Sequence, residues 1–150
     1  MIDSGFDTPL DVRLRNDGKF MVLSEFVYHV GGLGTSTFIR VPRGFVTDFA
    51  SVPKFLHPIL PKVGTHGKAA VLHDWLYHLV RKGELRRVVA DAMFLEAMQT
   101  LKVPIWKNRL LYYGVRLGGW ASVKKKNPWP ALVDPETGEP VAQPQSEPGQ

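Results

Sequence analysis

Two apolar stretches, Leu72-His73-Asp74-Trp75-Leu76-Tyr77 and Ala90-Asp91-Ala92-Met93-Phe94, carry ionisable side chains where a core-forming segment should have none. A charge inside an apolar run is costly to bury without a partner, so the fold must bring these side chains to one another or to other counter-charges. If the two stretches form an antiparallel helical hairpin about Gly83, His73 and Asp91 lie ten and eight residues from the turn and fall within about one helical turn of each other. Two readings follow. Either the pair is a buried ionic tie between helices, or it is a catalytic His/Asp dyad beside a metal site.

The rest of the chain bounds the answer. Its 150 residues, 44% of them hydrophobic, suffice for one core and are too few for two domains. Without cysteine, neither disulfides nor a cysteine-ligated zinc can hold the fold, and nothing argues for an oxidising compartment. Met1-Ile2-Asp3-Ser4-Gly5 has no basic leader or apolar signal core, and no run approaches the roughly 20 apolar residues of a membrane span. Synthesis as a soluble cytosolic protein is expected. Residues 1–126 hold all 19 basic side chains and 10 of the 14 acidic ones, a net +9, while the remainder is acidic. Such a body attracts phosphate-rich or acidic partners, among them nucleic acid, anionic lipid or a protein surface, or is a solvated surface and nothing more.

An α+β domain over residues 1–126 is expected. Lys19 to Leu23, Phe26 to Val30 and Thr35 to Val41 read as strands of a small antiparallel sheet, with Gly31-Gly32-Leu33-Gly34 as a turn. Pro42-Arg43-Gly44 then leads through Phe45-Val46-Thr47-Asp48 into a proline-containing loop. The spacing of Ala69, Ala70, Leu72, Leu76, Leu79 and Val80 predicts a helix that stops at Gly83. A second helix spans Glu84 to Leu101, with Val88, Ala92, Leu95 and Met98 on its inner stripe, and a third runs from Pro104 to a break at Gly118-Gly119. Residues 127–150, with six prolines, read as a disordered or partner-docked tail in which Trp129, Leu132 and Val133 form a short anchor.

The chemistry wants a division of labour along the first helix. His73 and Tyr77, four residues apart, share a face, while Asp74 is turned about 100° away toward the loop of Asp48. A neutral imidazole suits a general base near pH 7, and Asp91 on its other nitrogen would fix the tautomer; Tyr77 would bond that aspartate. Asp48 and Asp74 are the candidate ligands of an oxygen-seeking cation such as calcium.

At these residues the chain resembles a family of small proteins from tailed phages and prophages that has no assigned activity. The carrying motifs are Gly44-Phe45-Val46-Thr47-Asp48-Phe49-Ala50-Ser51-Val52-Pro53, His73-Asp74-Trp75-Leu76-Tyr77, Ala90-Asp91-Ala92-Met93-Phe94 and Tyr113-Gly114-Val115-Arg116-Leu117-Gly118-Gly119. Within it, Asp48 to Met98 is similar to the helix pair of bacterial and fungal secreted phospholipases. That resemblance implies a dyad at His73 and Asp91 and calcium at Asp48 and Asp74, although those enzymes are disulfide-bonded.

Other patterns are thinner. A His-Asp doublet also marks metal-dependent phosphohydrolases, which would need His57 or His66 as a further ligand, and no nucleophile elbow, phosphate loop or zinc-protease motif is present. Arg109, Tyr113, Arg116 and Trp120 form a basic and aromatic stripe that either meets lipid headgroups, nucleic acid or a virion protein, or is partly core with solvated arginines. Two function classes are thus expected. One is a phage hydrolase acting on a lipid ester or cell-envelope bond. The other is a non-enzymatic virion or assembly component, for example of the tail, docked on other virion proteins through residues 127–150.

Overall fold

Strand formation follows the apolar residues of the first 47 positions. In the computed structural model, which describes residues 5–32, 35–48, 58, 66–124 and 132–141, β1 (Val12–Leu14), β2 (Phe20–Val22) and β5 (Val46–Thr47) form one antiparallel sheet in the order β1-β2-β5. Val12 faces Val22 and Met21 faces Val46. β3 (Phe26–His29) and β4 (Phe38–Val41) form a second antiparallel pair, with Phe26 opposite Val41 and His29 opposite Phe38. The single sheet expected is therefore two, because both edges of β2 are already taken by β1 and β5 and the chain must open a new ladder after Leu23. β1 and β5 escaped the sequence reading: Leu14 is exposed and β5 is only two residues long.

Three helices follow: α1 (Gly67–Arg81), α2 (Arg87–Thr100) and α3 (Ile105–Lys124). α1 ends in a Schellman motif, with Gly83 in the left-handed region at φ +79° and the amides of Gly83 and Glu84 bonded to the carbonyls of Val80 and Leu79. α2 ends the same way, but the left-handed position is held by Lys102 at φ 55°. The break expected at Gly118-Gly119 does not occur; α3 continues through both glycines to Lys124. The stripe expected on α2 is also rotated. Val88 and Ala92 face solvent, and Ala90, Asp91, Phe94, Ala97 and Met98 face inward.

One core joins sheet and helices through Phe6, Phe26, Tyr28, Leu72, Leu76, Phe94, Met98 and Leu111, all fully buried. A smaller cluster of Met21, Val46 and Val133 lies behind β2. Val133 arrives from the C-terminal stretch, where Leu132 bridges to Phe45 and the Val133 amide donates to the Gly44 carbonyl at 2.9 Å. Of the expected tail, residues 132–141 are described, with Val133 bridged to Pro140, while residues 127–131, including Trp129, and 142–150 fall outside the described residues, as does the loop after Asp48 apart from Pro58. Among the described residues, no helix is long and apolar enough to cross a membrane.

Candidate functional site

Helical spacing sets the site. His73 and Tyr77 lie one turn apart on α1, on the face that packs against α2, and both reach the same oxygen of Asp91. His73 Nε2 is 2.9 Å from Asp91 Oδ1, and the Tyr77 hydroxyl donates to that oxygen at 2.7 Å. The other oxygen, Oδ2, accepts from Arg116 Nη1 of α3 at 2.9 Å and faces Arg87 Nε, one turn earlier on α2, at 3.5 Å. Arg87 also donates through Nη2 to the Arg116 carbonyl at 2.6 Å. Asp91 is thus the knot on which all three helices are tied.

Close packing completes the arrangement. The His73 ring lies 4.1 Å from the Tyr77 ring and 4.6 Å from Phe94, centroid to centroid. Gly119 of α3 passes directly under the Tyr77 hydroxyl, and a Cβ there would come within 2.2 Å of that oxygen. Only glycine lets α3 approach closely enough for Arg116 to reach Asp91 while Tyr77 keeps its bond.

Electrostatics assigns the protons. Burial pushes the Asp91 carboxyl up, but the bonds from His73, Tyr77 and Arg116 outweigh it and hold Asp91 well below the usual carboxylate range. Burial pushes His73 below the ordinary imidazole value, against the opposing pull of Asp91. Burial and the bond to Asp91 both push the Tyr77 hydroxyl up. Near neutral pH the site therefore holds an ionised Asp91, a neutral His73 and a protonated Tyr77. An ionised carboxylate only accepts, so the His73 proton resides on Nε2 and the ring's proton-accepting nitrogen is Nδ1.

Asp74 points elsewhere, as its place on α1 requires. It accepts from the hydroxyl of Thr47, the residue of β5 that precedes Asp48. Beside them, Phe45 packs edge-on against Trp75 at 5.2 Å, fixing the middle of α1 to the sheet. Burial lowers the pKa of Arg81, and the charges of Asp74 and Asp48 lie close enough to oppose that shift, which puts both carboxylates near one guanidinium. Two carboxylates are the donor type a hard cation takes, and to that extent the residues fit calcium. Arg81 already supplies part of the counter-charge, and among the described residues no cluster of three or more His, Asp or Glu gathers into a fuller ligand set.

The structure brings His73, Tyr77 and Asp91 into one bonded group and sets Asp74, bonded to Thr47, about 100° round α1 from His73, with Asp48 and Asp74 both near Arg81. Sequence reasoning missed Arg87, Arg116, Gly119 and Thr47. Arg87 stands four residues before Asp91, a spacing that signals an ion pair on one helix face. Arg116, read as part of a surface stripe, turns out to be a ligand of the buried carboxylate, and no local pattern announces it.

Together these features define an α+β protein with a helix-borne His–Asp–Tyr group braced by two arginines. The chain belongs to the family described as protein of unknown function (DUF1353), whose model matches residues 20–115, from β2 to the residue before Arg116. No curated protein and no solved structure matches the chain.

Proposed function

We propose that the protein is a hydrolase of phage or prophage origin, made in the host cytoplasm, that cleaves a lipid ester or a related cell-envelope bond with His73 as its base. The observation that carries this reading is the bonding of His73 Nε2 to Asp91 Oδ1 at 2.9 Å, with Tyr77 on the same oxygen. A dyad of His73 and Asp91 is what the sequence resemblance of the Asp48 to Met98 stretch to secreted phospholipases would imply.

The chemistry follows from the proton assignment. Nδ1 of His73 takes a proton from water as the water oxygen bonds to the ester carbonyl carbon. The ionised Asp91 stabilises the imidazolium so formed, and the same proton passes to the departing alkoxide as the ester bond breaks. Tyr77, Arg116 and Arg87 hold Asp91 in place and ionised throughout. Asp48 and Asp74 would hold a hard cation such as calcium, which when bound polarises the carbonyl oxygen.

Burial favours a second reading. His73 is only 1% exposed and Asp91 fully buried, as expected of a structural polar network in a non-enzymatic virion or assembly component. Incubation with phospholipid or a soluble carboxylic ester, with calcium or chelator, separates the two. Product formation that needs calcium and disappears in His73→Gln and Asp74→Asn supports the hydrolase. No product under any condition, from a folded wild type, favours the structural network.

A further inference from the structure

α3 carries a second face that the site does not use. Ile105, Trp106, Arg109, Tyr113 and Leu117 fall within about 120° of one another around the helix. All five are exposed; Ile105 is 73% and Leu117 85% accessible, far more than aliphatic side chains with a partner in the same chain would be. Lys107 flanks them, its Nζ 5.4 Å from the centre of the Trp106 ring. We propose that this face of α3 is a docking surface for an anionic phospholipid bilayer.

The side-chain chemistry selects that occupant. Tryptophan and tyrosine settle at the headgroup level of a bilayer, exposed aliphatic residues gain by entering the acyl boundary, and arginine and lysine reach phosphate while their stems stay in apolar surroundings. A body with 19 basic against 10 acidic side chains over residues 1–126 adds long-range attraction to a negative surface. Nucleic acid would engage Arg109 and Lys107 but leave Ile105 and Leu117 in water. A second copy packed across this face about a two-fold axis would bring Arg109 near its own counterpart, a like-charge contact. The same helix carries Arg116, so the docking face and the Asp91 group ride on one rigid element. The inference deepens the hydrolase reading, on which it rests for its biological purpose, by naming the surface on which the substrate lies.

The test measures binding alone, with the full chain and vesicles of phosphatidylcholine, with or without phosphatidylglycerol. Co-sedimentation with the mixed vesicles is expected, weakening as salt is raised, with little binding to phosphatidylcholine alone. The double variant Ile105→Asp/Leu117→Asp should lose at least about tenfold in binding to the mixed vesicles with its melting temperature unchanged. Leu117→Ser is the milder variant should the double one fold poorly, and it should also bind more weakly than wild type. Failure of the wild type to bind mixed vesicles, or binding that neither substitution reduces, overturns the proposal. So does a dimer in sedimentation velocity that the same substitutions dissolve. Vesicle binding without ester cleavage would uphold this proposal while sinking the hydrolase.

Discussion

Replacing Asp91 by asparagine probes the knot with almost no change of shape. The fully buried carboxylate accepts from His73 and Tyr77 on one oxygen and from Arg116 on the other. Asparagine keeps one acceptor oxygen but turns the other into a donor, which either faces the donor-only Arg116 or forces His73 into its other tautomer. Breaking a buried charged group away from its partners costs roughly 3–5 kcal/mol. Because the two arginines lie at the margin of solvent and can rehydrate, the loss should fall at or below the lower end of that range, about 2–3 kcal/mol. In a chain of this size each kcal/mol moves the melting temperature by about 2–4 °C, so scanning calorimetry at pH 7 should show a drop of about 4–12 °C. The pH dependence has a definite sign. The folded pKa of Asp91 is depressed, so its contribution is fully present above the unfolded value of about 3.9 and is lost as pH falls through the lower folded value. The gap between wild type and Asp91→Asn should therefore close below about pH 4. A melting temperature at pH 7 within the calorimeter's error of wild type, or a gap undiminished well below pH 4, would show that the Asp91 carboxylate does not tie the helices together.

Three further outcomes are expected. Gly119→Ala should destabilise by about 1–3 kcal/mol in urea melts, since its Cβ would lie 2.2 Å from the Tyr77 hydroxyl; Tyr77→Phe in the same chain should recover part of that loss, and strict additivity would speak against the contact. Lys102→Gly should raise stability by about 0.5–1 kcal/mol by relieving the left-handed backbone at φ 55°, as chemical denaturation would show. Val133→Ala should cost about 1–2 kcal/mol from the lost packing with Met21 and Val46, whereas an unchanged denaturation midpoint would mean that the 132–141 stretch does not belong to the fold.

Most of the helical half of the fold was legible in the sequence because its signals are local. Gly83 ends α1 through a left-handed cap, and Lys82 beside it completes the basic stop. His73 and Asp91 were paired from their near-symmetric placement about that turn, and Tyr77 from its four-residue offset on the same face. What stayed hidden depends on distant contacts. Gly118-Gly119 reads as a stop signal by propensity, yet tertiary packing keeps the helix intact there because Gly119 must pass under Tyr77. The inner stripe of α2 was misread because Asp91, a charged residue, is among its most buried members, so a pattern built on apolar residues alone put Val88 and Ala92 inside. Arg116 lies twenty-five residues from Asp91, and only the crossing of α3 brings it there.

Burial keeps His73 neutral, and its bond to the ionised Asp91 fixes the proton on Nε2, which makes Nδ1 the basic nitrogen. Nitrogen-15 NMR of histidine-labelled protein, with the His73 signals assigned by their loss in His73→Gln, reads tautomer and charge directly. A neutral ring at pH 7 with the proton on Nε2 is expected. A ring protonated on Nδ1 at that pH, whether as the other neutral tautomer or as the imidazolium, would contradict it.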